Sequence, residues 1–258
     1  MTPVVDERAA ASLPTAAERV RSWPVLPEGA METKSLIVSG AAALEGLVRA
    51  AASAPRAAAL LCDIDGTISP IAPTPTEAHV PAPFRELLDA LARRIGLVAF
   101  VTGRALEDGR RMIPVDGAAY IGTHGLETMA ADGSVTLEPQ AERYVTAIRE
   151  VAETAARSLD CEALGVVLED KRTVLAVHYR LAEDAAATRH QILTQVIGPA
   201  RERGLAVATG HHVFEVRPPL PFTKGSAVRR LLRAGDYLTV MSCGDDLTDV
   251  TMFGAARE

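Results

Sequence analysis

The chain has 258 residues, 48% of them hydrophobic and 23% charged, with a formal net charge of -6. That balance belongs to a folded globular protein with room for one large domain or two modest ones, and it excludes a disordered or collagen-like chain. The acidic charge gives no basic field for nucleic acid or an anionic membrane surface, and no apolar run approaches the ~18 residues of a membrane span. The N-terminus lacks the basic start and apolar core of a secretory signal, so a cytoplasmic protein is expected. The three cysteines, Cys62, Cys161 and Cys243, are far apart and odd in number, which argues against a disulfide framework or a zinc site. Cys62 and Cys243 each close an apolar run, where cysteine is expected as a small buried hydrophobe.

In chain order, residues 1–35 carry Pro3, Pro14, Pro24 and Pro27 without sustained periodicity and are expected to be a loose leader. Residues 39–54 place Leu44, Leu47 and Val48 at helical spacing. Then short apolar runs begin: Leu60-Leu61, Leu97 to Val101, Ala118 to Ile121 and, much later, Tyr237 to Met241. Continuous apolar character over a few residues suits strands buried on both faces of a parallel sheet. Helical segments over 83–94, 106–112 and 224–234 alternate with them, which argues for a doubly wound, mainly parallel, Rossmann-like α/β core. Residues 138–217 read differently, as a helix near 141–159, two strands within 165–180, a helix near 185–197 and two strands within 205–217. Paired strands with short turns imply an antiparallel sheet. The expected organisation is a core over 36–137 and 218–258 with an α+β unit inserted at 138–217.

In a parallel α/β sheet the ligand site lies beyond the carboxyl ends of the strands. Here those ends are polar: Asp63-Ile64-Asp65-Gly66-Thr67, Thr102-Gly103-Arg104, Gly122-Thr123-His124-Gly125, and Gly244-Asp245-Asp246-Leu247-Thr248-Asp249. Asp63 and Asp65 project to one side while Ile64 packs on the other. Such an acidic cluster requires a cation, and the all-oxygen set of Asp63, Asp65, Asp245 and Asp246 suits Mg2+. Magnesium in turn favours a phosphate substrate, whose remaining charge Thr102 and Lys224 would hold.

Asp-Ile-Asp-Gly-Thr, Thr-Gly-Arg, Lys224-Gly225 and Gly-Asp-Asp-Leu-Thr-Asp, in that order, resemble the four motifs of the haloacid dehalogenase superfamily. The resemblance implies that Asp63 attacks phosphorus to form an aspartyl-phosphate and that Asp65 protonates the leaving alcohol and later activates water. It also implies that Asp63, the backbone carbonyl of Asp65, and Asp245 bind magnesium, with Asp246 reached directly or through water, and that Thr102, Gly103 and Lys224 bind phosphate. A narrower resemblance, to the trehalose-6-phosphate phosphatases, is carried by Asp65 to Ile71 with Pro75, Gly122 to Glu127, Glu169-Asp170-Lys171, His178-Tyr179-Arg180 and Glu215 to Pro218. It implies that the inserted unit is a cap closing over a sugar. Arg104, His124, Glu127, Glu169, Lys171, His178, Arg180 and Glu215 then become substrate contacts. Ile64, Thr123 and the Pro221-Phe222-Thr223 run depart from the family's usual residues.

The implied activity is magnesium-dependent hydrolysis of a sugar phosphate monoester, first of all trehalose 6-phosphate. A related disaccharide or pseudodisaccharide phosphate is the alternative substrate. A catalytically silent regulatory domain, working beside a sugar-phosphate synthase, is the alternative from another class. Since the family continues through roughly one further strand and helix past position 258, the sheet is expected to lack an edge element.

Overall fold

The computed structural model describes residues 41–72, 74 and 76–258. The expected leader over 1–35, Ser39, Gly40 and Pro75 lie outside the described residues. Helix α1 (Ala41–Ser53) leads into β1 (Ala58–Cys62). There follow α2 (Ala82–Ala92), β2 (Leu97–Val101), α3 (Leu106–Met112) and β3 (Ala119–Gly122). Each strand is one of the apolar runs, and β2 and β3 are buried along their whole length.

A short hairpin of β4 (Glu127–Met129) and β5 (Val135–Leu137) comes next. After the second unit the chain returns with α6 (Lys224–Leu232), β10 (Thr239–Cys243) and α7 (Asp249–Ala255). The strands form one sheet in the order β10-β1-β2-β3-β4-β5, parallel from β10 to β3 and antiparallel beyond. Leu88 of α2 and Leu106 of α3 cover one face around Phe100 and Ile64; Val228 of α6 and Met252 of α7 cover the other around Leu61 and Ile121. Burying a side chain such as Phe100 contributes about 2–3 kcal/mol.

Between β5 and α6 lies a second sheet, in the order β6-β7-β9-β8 and antiparallel throughout. Its strands are β6 (Val167–Asp170), β7 (Leu175–His178), β8 (Ala206–Gly210) and β9 (Val213–Arg217). One face packs Leu175, Val177, Phe214 and Val216 against α4 (Val145–Ser158) and against α5 (Ala185–Ile192) with its π-helical continuation, Leu193–Ile197. The alternate residues Glu169, His178 and Glu215 face a cavity between the two sheets.

Three expectations are corrected. The helix expected over 141–159 is two pieces, Pro139–Glu142 and α4. The β4–β5 hairpin extends the core sheet with antiparallel strands that the apolar runs did not announce, because each is three residues long and rich in threonine or acid. Cys62 is buried as expected, but Cys243 is exposed, since it ends β10, the strand at the margin of the sheet. Among the described residues, no helix is long and apolar enough to cross a membrane.

Candidate active site

Asp63 is the first residue past β1, and its amide donates to the carbonyl of Cys243 at 2.9 Å, prolonging the β1–β10 ladder by one bond. The chain then turns through Gly66, at φ +82°, where a Cβ would stand 2.0 Å from a carboxylate oxygen of Asp245. Only glycine allows that approach. From the other side, Thr223 caps α6 in a reciprocal pair of bonds with Ser226, which fixes Lys224 in the first helical position. The Lys224 ammonium donates to Asp63 Oδ1 at 2.6 Å and to Asp249 Oδ1 at 2.7 Å. The other oxygen of Asp249 accepts from the amides of Asp245 and Asp246, so this buried carboxylate shapes the Gly244–Asp246 turn.

Carboxylate oxygens of Asp63, Asp245 and Asp249 lie within 4.8 Å of one another. The hydroxyl of Thr67 stands between the first two, 3.3 Å from Asp63 Oδ2 and 3.3 Å from Asp245 Oδ1. Burial pushes the Asp63 carboxyl up to about 6, against the pull of Lys224, so the anion remains its main form at neutral pH. Burial works against the charge of Lys224 too, but Asp63 and Asp249 outweigh it and hold the ammonium above its ordinary value.

The side chains of Asp65 and Asp246, both of the expected acidic set, make local bonds. Asp65 turns its carboxylate to Arg104, which donates from Nε and Nη2 at 2.7 Å each. Asp246 Oδ1 accepts from the amide of Thr248 at 2.7 Å. Asp249 and Thr67 stand with Asp63 and Asp245 in this group, both oxygens of Asp249 being engaged by Lys224 and by the amides of Asp245 and Asp246. An all-oxygen group with two of its three members buried fits a hard divalent ion such as magnesium and lacks the nitrogen or sulfur that zinc prefers. The sequence signal for Asp249 was its spacing of four from Asp245, which carries it from a strand tip into the first turn of α7.

Thr102 is the first residue past β2, buried, and its hydroxyl accepts from the amide of Arg104 at 3.1 Å. A Cβ at Gly103 would stand 2.5 Å from the imidazole of His124, so the glycine makes room for that ring. His124 itself is left-handed, at φ 55° and ψ 26°. Its Nε2 lies 3.5 Å from Glu215 Oε2 on the second sheet.

On that sheet Glu169, Ala176 and Glu215 are register partners across three strands. The small Ala176 between two acids leaves space for the buried ammonium of Lys171, 3.6 Å from Glu169 and 3.7 Å from Glu215. Lys171 also donates to the carbonyl of Gly103 at 3.0 Å, which ties the second sheet to the Thr102-Gly103-Arg104 loop. His178 Nε2 pairs with Glu169 at 3.0 Å, and Arg180 donates to the carbonyl of Ala72 at 3.3 Å. Burial works against the charge of Glu215, but His124 and Lys171 outweigh it and lower its carboxyl to about 2.

A cavity of about 1280 Å³ separates the two groups. Asp65, Gly103, Arg104, His124, Glu169, Lys171, His178, Arg180, Glu215, Lys224, Asp245 and Asp246 line it, and Asp63 and Thr102 lie buried at the strand ends below. Glu127 does not line it. It sits buried in β4, where its carboxylate accepts from the amide of Leu106 at the start of α3.

Residues 61–258 match the family model of the trehalose-phosphatases. Over 207 residues the chain is 38% identical to a trehalose-phosphate phosphatase of Mycobacterium avium, an alignment covering 77% of this chain and 51% of that protein. It is also 38% identical over 211 residues to a Mycobacterium tuberculosis protein named an uncharacterized glycosyl hydrolase, covering 78% of this chain and 15% of that one. The chain therefore spans about half the length of the first relative and a small part of the second. A solved trehalose-6-phosphate phosphatase related protein superposes with a TM-score of 0.67 at 27% identity, covering 76% of this chain and 82% of that one. The C-terminal domain of the Candida albicans trehalose-6-phosphate phosphatase superposes with a TM-score of 0.66 at 20% identity, covering 87% and 79%, a likeness of fold.

Proposed function

The chain belongs to the trehalose-phosphatase family, and from that premise we propose that it is a magnesium-dependent phosphatase of a sugar phosphate monoester, trehalose 6-phosphate before others. One observation carries the reading: a buried carboxylate, Asp63, stands at the strand ends beside the cavity with one oxygen held by Lys224 and the other 3.3 Å from the Thr67 hydroxyl, which also reaches Asp245. An anchored carboxylate of this kind has lost the freedom that would otherwise oppose in-line attack.

Asp63 Oδ2 attacks phosphorus, the phosphorus–oxygen bond to the sugar breaks, and Asp65 gives the departing alkoxide a proton. Asp65 then takes a proton from the water that hydrolyses the aspartyl-phosphate, so that sugar and phosphate leave and both acids are restored. Lys224, Thr102 and the Gly103 loop hold the phosphoryl oxygens. Asp63, Asp245 and the backbone at Asp65 would hold magnesium, with Asp249 fixing the turn that carries Asp245. The ion, when bound, supplies positive charge to the transferring phosphoryl oxygens. Facing the strand tips, Glu169, Lys171, His178, Arg180, Glu215 and His124 offer donors and acceptors for sugar hydroxyls, each of which must find a partner once water is excluded.

Phosphate release from trehalose 6-phosphate with magnesium tests the reading. Asp63→Asn should lose roughly 10⁴-fold or more in kcat, and near-wild-type turnover by that variant would remove Asp63 as nucleophile. A panel of disaccharide and monosaccharide phosphates separates trehalose 6-phosphate from related substrates. Folded protein that releases phosphate from none of them would instead be the silent regulatory domain.

A further inference from the structure

Arg230 stands on α6, six residues past Lys224, which at ~1.5 Å per residue places it about 9 Å further along the same helix. Its guanidinium is engaged from three sides. One nitrogen, Nη2, donates to the carbonyl of Gly125 at 3.3 Å, Nη1 lies 3.3 Å from Glu138 Oε2, and the carbon between them sits 5.5 Å from the centre of the Phe222 ring, within cation–π range. Those three partners mark the passages between the two units. Glu138 follows β5, where the chain leaves the core sheet; Phe222 lies between β9 and Lys224, where it returns; and Gly125 follows His124, whose imidazole faces Glu215 of the second sheet. Behind them a small apolar cluster of Leu126, Ala141 and Val174, with Leu137, Leu220 and Phe222 packed against it, draws on both units. An interface that small leaves two units free to shift unless further contacts fix them. Arg230, Glu138 and Phe222 do not line the large cavity, so Arg230 acts on a ligand there only through what it holds.

We propose that Arg230 is a positioning residue for the phosphatase reaction: one guanidinium clasps both crossings and the His124 turn to the helix that begins with Lys224, and so sets Glu169, Lys171 and Glu215 in place above Asp63. The planar fork of arginine suits this task, since two of its nitrogens serve an oxygen each while its face stays free for the ring. At 45% exposure no single contact of Arg230 is strong, and the clasp rests on the three together. The other end of α6 is fixed independently, by its capping box and by the bonds of Lys224 to Asp63 and Asp249. The bonds of Lys171 to the Gly103 carbonyl and of Arg180 to the Ala72 carbonyl also join the units, but these two side chains line the cavity, where a ligand enters, and the clasp stands outside it. Loosening the clasp lets the second sheet drift over a phosphoryl site that keeps its own geometry. A misplacement of ~1 Å from a change far from the chemistry costs about 100-fold. The kinetic consequence rests on the phosphatase reading; the clasp itself does not.

Arg230→Met removes the charge and the fork while keeping an unbranched stem. In the full chain its KM for trehalose 6-phosphate should rise about 10-fold or more with kcat changing less, while inhibition by inorganic phosphate, which occupies the strand tips alone, should stay within about twofold of wild type. Arg230→Lys, which keeps the charge but not the fork, should recover part of the loss. Glu138→Gln should raise KM less, and joined to Arg230→Met it should add nothing further, because the two side chains share one contact. Hydrogen exchange over 138–144 and 218–223 should quicken in Arg230→Met while β1, β2 and β3 stay as protected as in wild type. An unchanged KM, additive effects of the two substitutions, or phosphate inhibition weakened as much as KM is raised would overturn the positioning role. Unchanged exchange at both crossings overturns the clasp. If the wild-type chain releases phosphate from no substrate, the phosphatase reading fails and the exchange result still decides the clasp.

Discussion

Two groups of charges face each other across the cavity, and they are built in opposite ways. At the strand tips of the core sheet, Lys224 and Asp249 are 3% and 0% exposed, and backbone amides, a helix cap and a glycine turn fix them in place. On the second sheet Glu169 and Glu215 sit inside their strands and His178 ends β7, at 20%, 18% and 27% exposure, and they are joined by ion pairs among themselves and with Lys171. The first group is preorganised for one reaction at one point. The second is a network of mutual ion pairs that, on the proposed function, sugar hydroxyls would meet, and two bonds to core carbonyls, from Lys171 and Arg180, join it to the core. Variants should therefore divide into those that remove chemistry and stability together and those that change substrate affinity or pH response.

Lys224→Met should do the most damage. It leaves Asp63 and Asp249 buried without their cation, and breaking a buried ion pair from one side costs about 3–5 kcal/mol. Thermal unfolding without magnesium should show a drop of that order, and added magnesium should recover part of it, because the ion supplies charge to the same carboxylates. Turnover should fall about 100-fold or more even where the protein stays folded. A variant with wild-type melting would mean that the pair is not the core's electrostatic anchor, and the contrast between the two groups would collapse.

Glu215→Gln is the matching change on the second sheet. Glu215 has its carboxyl lowered from 4.5 to about 2, so its charge contributes stability that is present above 4.5 and lost as pH falls through that interval toward 2. The shift corresponds to a contribution on the order of 3 kcal/mol at neutral pH. Wild type should accordingly melt higher than the variant at pH 7, with the gap closing as pH approaches 2. In kinetics the variant should raise KM more than it lowers kcat. A gap that is independent of pH would assign the loss to packing and would leave the His124 and Lys171 pairings without energetic weight.

The same contrast explains what the sequence could reveal. The core tips were legible because each functional residue ends an apolar run, so position along the chain and position at the site coincide. Thr67 and Asp249 escaped because they lie past those ends, in a turn and in a helix, where only the folded backbone brings them to Asp63. On the second sheet, strand alternation was visible but not the row Glu169, Ala176 and Glu215, since register across three strands is fixed by long-range pairing and not by local pattern. Cys243 was misjudged for a related reason, because an apolar run signals a strand but not its place at the margin of a sheet. Glu127 enters the expected site through the resemblance of the Gly122 to Glu127 segment; β4 starts there with Glu127 paired to Gly122, and the carboxylate is buried against the amide of Leu106.

Glu127→Gln should therefore have the smallest effect of the series, and it tests where the boundary of the site lies. Burial raises the Glu127 carboxyl, and the amide of Leu106 opposes that rise. A raised value means that the fold favours the neutral acid: the associated stability is present at low pH and is lost as pH rises through the folded-state value. Glutamine is neutral at every pH and keeps a carbonyl oxygen to accept from Leu106. At pH 7 the variant should melt within ~0.5 kcal/mol of wild type or slightly above it, and kcat/KM should stay within about twofold. Tenfold loss of kcat/KM with unchanged melting would place Glu127 among the substrate contacts and extend the proposed sugar-binding group onto the core sheet.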